Sequence, residues 1–254
     1  MKHVLITGSQ GYLGSVLSGM LVDHGYRVTG FDTGFFRESK LGPIRDAGEL
    51  IDKDVRNLTD SDLDSIDAVI HLASISNDPM LMFDEEQVYG PSRVYTKRLA
   101  SMCKQRGIKF VFASSCSVYG VGGNMNLNEK SMTNPQTGYS KNKIEIEADL
   151  AELADESFSP IALRFATIFG FSPRIRFDVV VNMFVGMALT TKQIILNSDG
   201  QAWRPNLHIL DACAALIGAV KLQPEKPGLV VLNIGSEKNN LKIIDMANAV
   251  ASIV

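Results

Sequence analysis

Val4-Leu5-Ile6-Thr7-Gly8-Ser9-Gln10-Gly11-Tyr12-Leu13-Gly14 is the stretch whose reading decides the fold. A short apolar and β-branched run, bounded as a strand would be, ends in G-x-x-G-x-x-G, and Gly11 to His24 then has helical length and spacing. One glycine permits a tight turn, one lets a pyrophosphate approach the backbone, and one lets the helix pack on its strand. The helix N-terminus adds unpaired N–H groups and the positive end of its dipole. The pattern suits a dinucleotide, but glycines also mark ordinary turns, so its meaning depends on the strands and helices downstream.

Working outward, Arg27 to Asp32 is a second strand with Asp32 at its C-terminal end, where an adenosine ribose would lie. A carboxylate there accepts from both ribose hydroxyls and repels a 2′-phosphate, which predicts NAD over NADP. Arg37 is a nearby guanidinium able to accommodate a 2′-phosphate, but the intervening Gly34-Phe35-Phe36 argues against that role. Asp54-Val55 sits where a third strand would end and is placed to flank the adenine. Leu72-Ala73-Ser74 follows the strand Ala68 to Leu72 with small residues that allow close cofactor approach.

Further strands read at Phe110 to Ser114 and Ile161 to Phe165, separated by helix candidates Glu85 to Arg106 and Thr137 to Glu156. Strands alternating with helices imply a parallel sheet covered on both faces, an α/β doubly wound fold. After Phe165 the rhythm loosens into a loop (Phe171 to Arg176), a helix from Asp178 to Leu189 and a short strand at Gln193 to Leu196. Leu229 to Ile234 reads as a buried strand that returns to the sheet. The expected organisation is a dinucleotide-binding domain over 1–165, its sheet resumed by 206–235, with a small, partly inserted substrate lobe from 166–205 and 236–254.

Bulk composition bounds the function classes. The 25 basic and 28 acidic side chains nearly cancel and form no long block, so no electrostatic footprint for nucleic acid or an anionic membrane is present. Cys103, Cys116 and Cys213 are widely spaced and outside any C-x-x-C pair, which argues against disulfides and zinc and for a reducing compartment. No signal-peptide core or membrane-length apolar run is seen, and the expected location is the cytoplasm. Asp60-x-Asp62-x-Asp64 begins like a calcium loop but lacks the glycine and terminal Glu, and Asn57-Leu58-Thr59 fits a glycosylation sequon with nothing to direct it there. No metal site is expected.

Tyr139-Ser140-Lys141-Asn142-Lys143 puts Tyr139 and Lys143 four apart, on one helix face, where an ammonium can lower the phenol's pKa and create a general base. Upstream, Ala113-Ser114-Ser115-Cys116-Ser117-Val118-Tyr119-Gly120 follows a strand and offers hydroxyls. Taken together, the glycine motif, His71 to Ser74, S-S-x-x-V-Y-G and Y-x-x-x-K resemble the extended short-chain dehydrogenase/reductase family, in particular its NAD-dependent nucleotide-sugar epimerases of the UDP-glucose/galactose 4-epimerase type.

That resemblance covers almost the whole chain and implies a Rossmann fold, NAD and a nucleotide-sugar substrate. It implies Ser115, with Ser114 as fallback, Tyr139 and Lys143 as the catalytic set, with Lys143 also on the nicotinamide ribose. Gly8, Gln10, Gly11, Tyr12, Leu13, Gly14, Asp32, Asp54, Val55, Leu72, Ala73 and Ser74, with Tyr139 and Lys143, are the cofactor contacts. Gly200-x-x-x-Arg204-Pro205-x-x-His208-Ile209-x-Asp211 resembles the family's G-x-x-x-R-x-x-x-H-V-x-D, in which the arginine grips the diphosphate. Thr167 and Asn182, with Ser115 and Arg204, complete the substrate contacts; Arg174 and Arg176 are secondary candidates, and His208 and Asp211 fix a strand and cap a helix.

Departures from the family pattern are as telling. Thr167 and Ser92 stand where members often carry Asn, and members extend beyond the point where this chain stops, so the expectation is a substrate lobe that is either truncated or unusually short. Sugar-nucleotide 4,6-dehydratases carry Asp-Glu where this chain has Cys116-Ser117, and the related decarboxylases place Glu at Ser117. The resemblance therefore implies epimerisation through a keto sugar, with net sugar oxidation or reduction and a non-catalytic NAD-binding sensor as alternatives. A homodimer through the two long helices is implied as well.

Overall fold

Apolar side chains at successive positions of one strand must find cover on both faces, and that requirement organises the molecule. The computed structural model describes residues 1–45, 48–76, 84–121 and 126–254. Its strands are β1 (His3–Thr7), β2 (Arg27–Asp32), β3 (Gly48–Asp52), β4 (Ala68–His71), β5 (Lys109–Ser115), β6 (Ile161–Phe165), β7 (Thr167–Phe169), β8 (Trp203–His208), β9 (Val230–Ile234) and β10 (Asn240–Lys242). Its helices are α1 (Gly14–Asp23), α2 (Glu85–Gln105), α3 (Gly138–Leu153), α4 (Val180–Thr191), α5 (Ile209–Lys221) and α6 (Ile243–Ile253). A seven-stranded sheet runs in the order β3-β2-β1-β4-β5-β6-β9. All its pairings are parallel.

Strand alternation divides β1 between two cores: Val4 and Ile6 pack with Leu17 and Leu21 of α1 and Leu216 of α5, while Leu5 packs with Phe110 of β5, Leu99 of α2 and Leu150 of α3. The chain winds outward from β1 in both directions, through β2 on one side and β4 on the other, so a crevice opens beyond the C-terminal ends of these strands, where open parallel sheets bind ligands. Beneath that crevice His71 is fully inside, its ring bonded to Thr7 Oγ1 at 2.7 Å and Thr96 Oγ1 at 2.9 Å. Burial, helped by the nearby Lys143 charge, pushes this imidazole down to about 3, so it works as a neutral bridge between β1, β4 and α2.

The loosened rhythm after Phe165 corresponds to a second cluster of elements. A three-stranded sheet in the order β10-β8-β7 and the pair α4 and α6, packed through Phe184, Met246 and Val250, form it. Here the structure corrects three expectations. Gln193 to Leu196 is not a strand: Lys192 ends α4 in the left-handed region (φ 58°), and Ile194 and Leu196 then pack on the α4–α6 cluster instead of pairing. Leu229 to Ile234 does return to the sheet, but β9 is its half-buried edge. The third strand stops at Asp52, and Asp54 starts a 3₁₀ turn, Val55–Asn57. The Asp60, Asp62 and Asp64 carboxylates pair with Arg106, Lys53 and Arg106 respectively. Among the described residues no helix is long and apolar enough to cross a membrane.

Backbone packs very closely at the start of α1. A Cβ on Gly14 would lie 2.3 Å from the Gly8 carbonyl oxygen and 2.7 Å from Ser9 Cα. Gly14→Ala is therefore expected to cost about 2 kcal/mol or more and to lower the midpoint of thermal unfolding by roughly 5 °C. Gly218→Ala on α5 meets nothing within 4 Å and should be neutral or stabilising by up to about 1 kcal/mol. Calorimetry of the two variants checks both.

Candidate active and cofactor site

The glycine-rich turn is built for an anion. Gly8 adopts φ +75° and presses so closely on the segment after β4 that a Cβ would lie 2.8 Å from Ala73 N. Helix α1 starts at Gly14 with Leu13 as its N-cap and no side-chain cap, Ser15 N and Val16 N being bonded to the backbone at Gly11 O and Leu13 O, so the positive end of its dipole lies at the turn with no side chain across it. The helix begins three residues later than the periodicity implies, because Gly11 to Leu13 are spent on the turn, in which Gly11 N donates to Gly8 O at 3.1 Å. Two neighbouring buried atoms, Ser9 Oγ and Gln10 Oε1, have no hydrogen-bond partner among the described residues. Small glycines at the turn, a helix N-terminus without a side-chain cap and unpartnered polar atoms beside it fit a dinucleotide.

Asp32 lies where the second strand meets this turn: its carboxylate accepts from Gln10 N at 3.0 Å and Gly34 N at 2.9 Å. It thus ties the glycine loop to the loop after β2. Arg37 reaches back over Gly34 but is held by Asp52 at 2.7 Å. Asp54 is likewise committed, chelating Arg56 at 2.6 Å and capping its own turn, contacts that hold its carboxyl below the usual range. Val55 packs against the α2–α3 core. On the other side of the crevice, Leu72 N donates to Thr7 O, Ala73 N to Thr7 Oγ1, and Tyr95 OH to Ala73 O, which draws Leu72-Ala73 against β1; Ser74 comes next in the chain.

Helix α3 presents the second set. Thr137 caps it reciprocally with Ser140, so Tyr139 falls in the first turn and Lys143 one turn on. Lys143 is 3% exposed, its ammonium 2.9 Å from Ala113 O, 4.6 Å from the Phe112 ring centroid and 5.4 Å from that of Tyr139. Burial pulls it down to about 8, against an opposing pull from Glu147. Tyr139 also meets Tyr89 edge to face, centroids 6.3 Å apart.

The two serines at the end of β5 differ. Ser114 is buried and donates to Glu147 at 2.5 Å, whereas Ser115 is half-buried and its oxygen accepts from Ser117 N at 3.2 Å, opening the turn Cys116–Tyr119. The Cys116 thiol is pushed up to about 11 by burial, with the Arg204 charge acting in the opposite direction. Arg204 itself is exposed on β8, next to Trp203. Thr167, half-buried, opens β7 opposite Asn206. Ser92 is enclosed, 2.6 Å from Asn142 Oδ1.

The family resemblance implies Asn182 as a substrate contact, but its amide is spent inside the protein. Oδ1 accepts from Gly170 N at 2.9 Å, while Nδ2 donates to Arg176 O at 2.9 Å and Tyr12 OH at 3.2 Å. Tyr12 OH donates in turn to Gly170 O at 2.8 Å, and the fully buried Ser172 bonds Tyr12 O and Ser15 Oγ. The glycine loop is therefore braced from the lobe by residues whose spacing in sequence, |i−j| near 160, gives no local signal. His208 ends β8 and caps α5, as expected. Arg176 spans from Asp178 to Ser76, beside the crevice. Asn182→Ala removes the partner of Gly170 N and one each from Arg176 O and Tyr12 OH, and should cost about 1–3 kcal/mol. The expected result is a lower unfolding midpoint and weaker dinucleotide binding, read by calorimetry and titration.

Comparison with known proteins agrees with this arrangement. The profile of the NAD dependent epimerase/dehydratase family matches residues 4–235. UDP-glucuronic acid decarboxylase 1 of Xenopus tropicalis is 26% identical, over 100% of this chain and 60% of its own length. UDP-glucose 4-epimerase of Yersinia pestis is 25% identical, over 92% of this chain and 78% of its own. Among solved structures, MoeE5 in complex with UDP-glucuronic acid and NAD superposes with a TM-score of 0.84 at 28% identity, covering 99% of this chain and 82% of that one. The chain spans about three fifths of the length of the decarboxylases it matches. A parallel sheet with its crevice at the β1/β4 switch point, a dinucleotide cradle and a profile match along most of the sequence place the chain in the NAD dependent epimerase/dehydratase family, whose cofactor is NAD.

Proposed function

We propose that the protein epimerises a nucleotide sugar at a hydroxyl-bearing carbon, C4 by family resemblance, through a transient keto sugar. The observation that carries this reading is the make-up of the turn beside the α3 pair. Elimination of water or loss of carbon dioxide needs a further acid or base next to the sugar, and the turn offers Cys116, held neutral by burial, and the hydroxyl of Ser117. Neither is a carboxylic acid. Simple alcohol–ketone chemistry asks for no more than a base, a hydroxyl and the cofactor.

In this reading Gly8, Gln10, Gly11, Tyr12, Leu13 and Gly14 hold the pyrophosphate of NAD, Asp32 its adenosine ribose and Lys143 its nicotinamide ribose, with Leu72, Ala73 and Ser74 alongside. Asp54 and Val55 flank the adenine. The bound cofactor supplies hydride acceptance and return. Tyr139 takes the sugar hydroxyl proton on its phenolic oxygen and later gives it back, the Lys143 ammonium stabilises the phenolate, and Ser115 hydrogen-bonds the reacting oxygen. Ser115 suits this better than Ser114, whose hydroxyl is committed to Glu147. Arg204 and Thr167 receive the nucleotide diphosphate and the sugar. The substrate is a nucleotide sugar, the enzyme works in the cytoplasm, and two copies associate through α2 and α3.

Tyr139→Phe is expected to bind NAD normally while losing at least about 10²-fold in turnover; near-normal turnover would remove the base assignment. A panel of UDP-linked sugars, with product analysis in the presence and absence of added NAD, tests the reaction. The expected product is the epimer with no net reduced cofactor. A 4-keto-6-deoxy sugar, or carbon dioxide from a uronate, would assign the chain to another branch.

A further inference from the structure

Glu147 lies one turn beyond Lys143, as Lys143 lies one turn beyond Tyr139, so the three share one stripe of α3. Its carboxylate is 5% exposed, and its partner Arg164, in the middle of β6, is 6% exposed. Oε2 accepts from Arg164 NH2 at 2.6 Å, and Oε1 accepts from Arg164 Nε at 3.1 Å and from Ser114 Oγ at 2.5 Å. Arg164 NH1 continues to Tyr119 OH at 2.8 Å, and that hydroxyl donates to Asn233 Oδ1 at 2.7 Å. A single polar seam thus joins α3, β5, β6, β9 and the turn Cys116–Tyr119. Burying an ion pair recovers little or no stability over an apolar pair of the same size, so stability alone is a weak account of it.

We propose that Glu147 is a positioning residue for the catalytic pair: its buried carboxylate keeps the ammonium on Lys143, so that the proton leaves Tyr139, and its bond to Ser114 fixes the strand end that presents Ser115. The inference rests on Tyr139 being the base. One proton can leave the Tyr139–Lys143 pair in two ways, giving phenolate with ammonium or phenol with amine, and only the first is a base with its cation in place. Lys143 is prone to the second, because burial pulls it down to about 8. Among the described residues, the other charged or titratable groups facing the pair do not hold the ammonium: His71 on β4 is neutral, Arg164 on β6 is a cation already paired, and Arg176 from the lobe is a cation whose field reaches Tyr139. Glu147 is the anion that acts in favour of the charged lysine.

Removing the carboxylate has a defined sign. The ammonium is then lost at lower pH, so the alkaline limb of the rate profile moves acidward and the phenolate forms at higher pH. The test uses NAD-loaded Glu147→Gln and, because that change leaves Arg164 buried and unpaired, also the Glu147→Gln/Arg164→Met double variant, which removes both charges. NAD affinity should stay within about twofold. The ultraviolet tyrosinate signal of Tyr139, isolated by difference against Tyr139→Phe, should titrate about one unit higher, and turnover at the optimum should fall about tenfold or more. An unmoved tyrosinate titration in both variants, or turnover falling only in step with NAD affinity on an unchanged pH profile, would overturn the proposal. Failure of the base reading shows separately, as undiminished turnover in Tyr139→Phe alone.

Discussion

The carbonyl oxygen of Gly8 sits 2.3 Å from where a side chain on Gly14 would begin, and much of the ligand side of the molecule depends on that approach. It lets α1 start directly over the end of β1, which puts a helix N-terminus with no side-chain cap at the crevice floor. The same turn brings Gly8 against Ala73, so the ends of β1 and β4 meet at the point where the winding reverses. Asp32 then secures the turn from the β2 side through Gln10 N. A residue with a Cβ at either glycine would separate helix from strand and widen the crevice for every other element around it.

A second theme is how the fold handles polar groups in its interior. Along the α2–α3 face run the His71 bridge to Thr7 and Thr96, the Lys143 ammonium on Ala113 O, and the Glu147–Arg164 pair with Ser114 and Tyr119. Each of these buried groups has partners, as the low-dielectric interior demands. The result is a rigid polar layer behind the strand ends, with neutral histidine, a discharge-prone lysine and a balancing carboxylate arranged in order. The crevice in front of it is left with smaller and more exposed hydroxyls, Ser115 among them.

The second cluster of elements also braces the glycine loop. Tyr12, Ser15, Gly170, Ser172 and Asn182 make one hydrogen-bonded brace between the glycine loop and the start of α4, and Arg174 stacks its guanidinium 4.0 Å from the Phe36 ring centroid, beyond Asp32. The glycine loop and the second cluster are thereby mechanically coupled, since displacing one pulls on buried hydrogen bonds of the other.

From the sequence alone came what is encoded locally. The alternation of apolar runs with helical periods determined the doubly wound sheet, and G-x-x-G-x-x-G, Asp32 and Y-x-x-x-K located the cradle and the α3 pair, because turn geometry, strand ends and i,i+4 helical spacing are set by neighbouring residues. Even the Glu147 stripe was legible in principle, as a further step of four beyond Lys143. What only the tertiary structure decided were matters of partnership across long separations. Asn182 became a brace, Ser114 was tied to Glu147 while Ser115 was not, and Gln193 to Leu196 packed on α4 and α6 instead of pairing. A side chain's type states what bonds it can make, but which partner satisfies it depends on burial and on elements brought together from distant parts of the chain, and no local pattern carries that information.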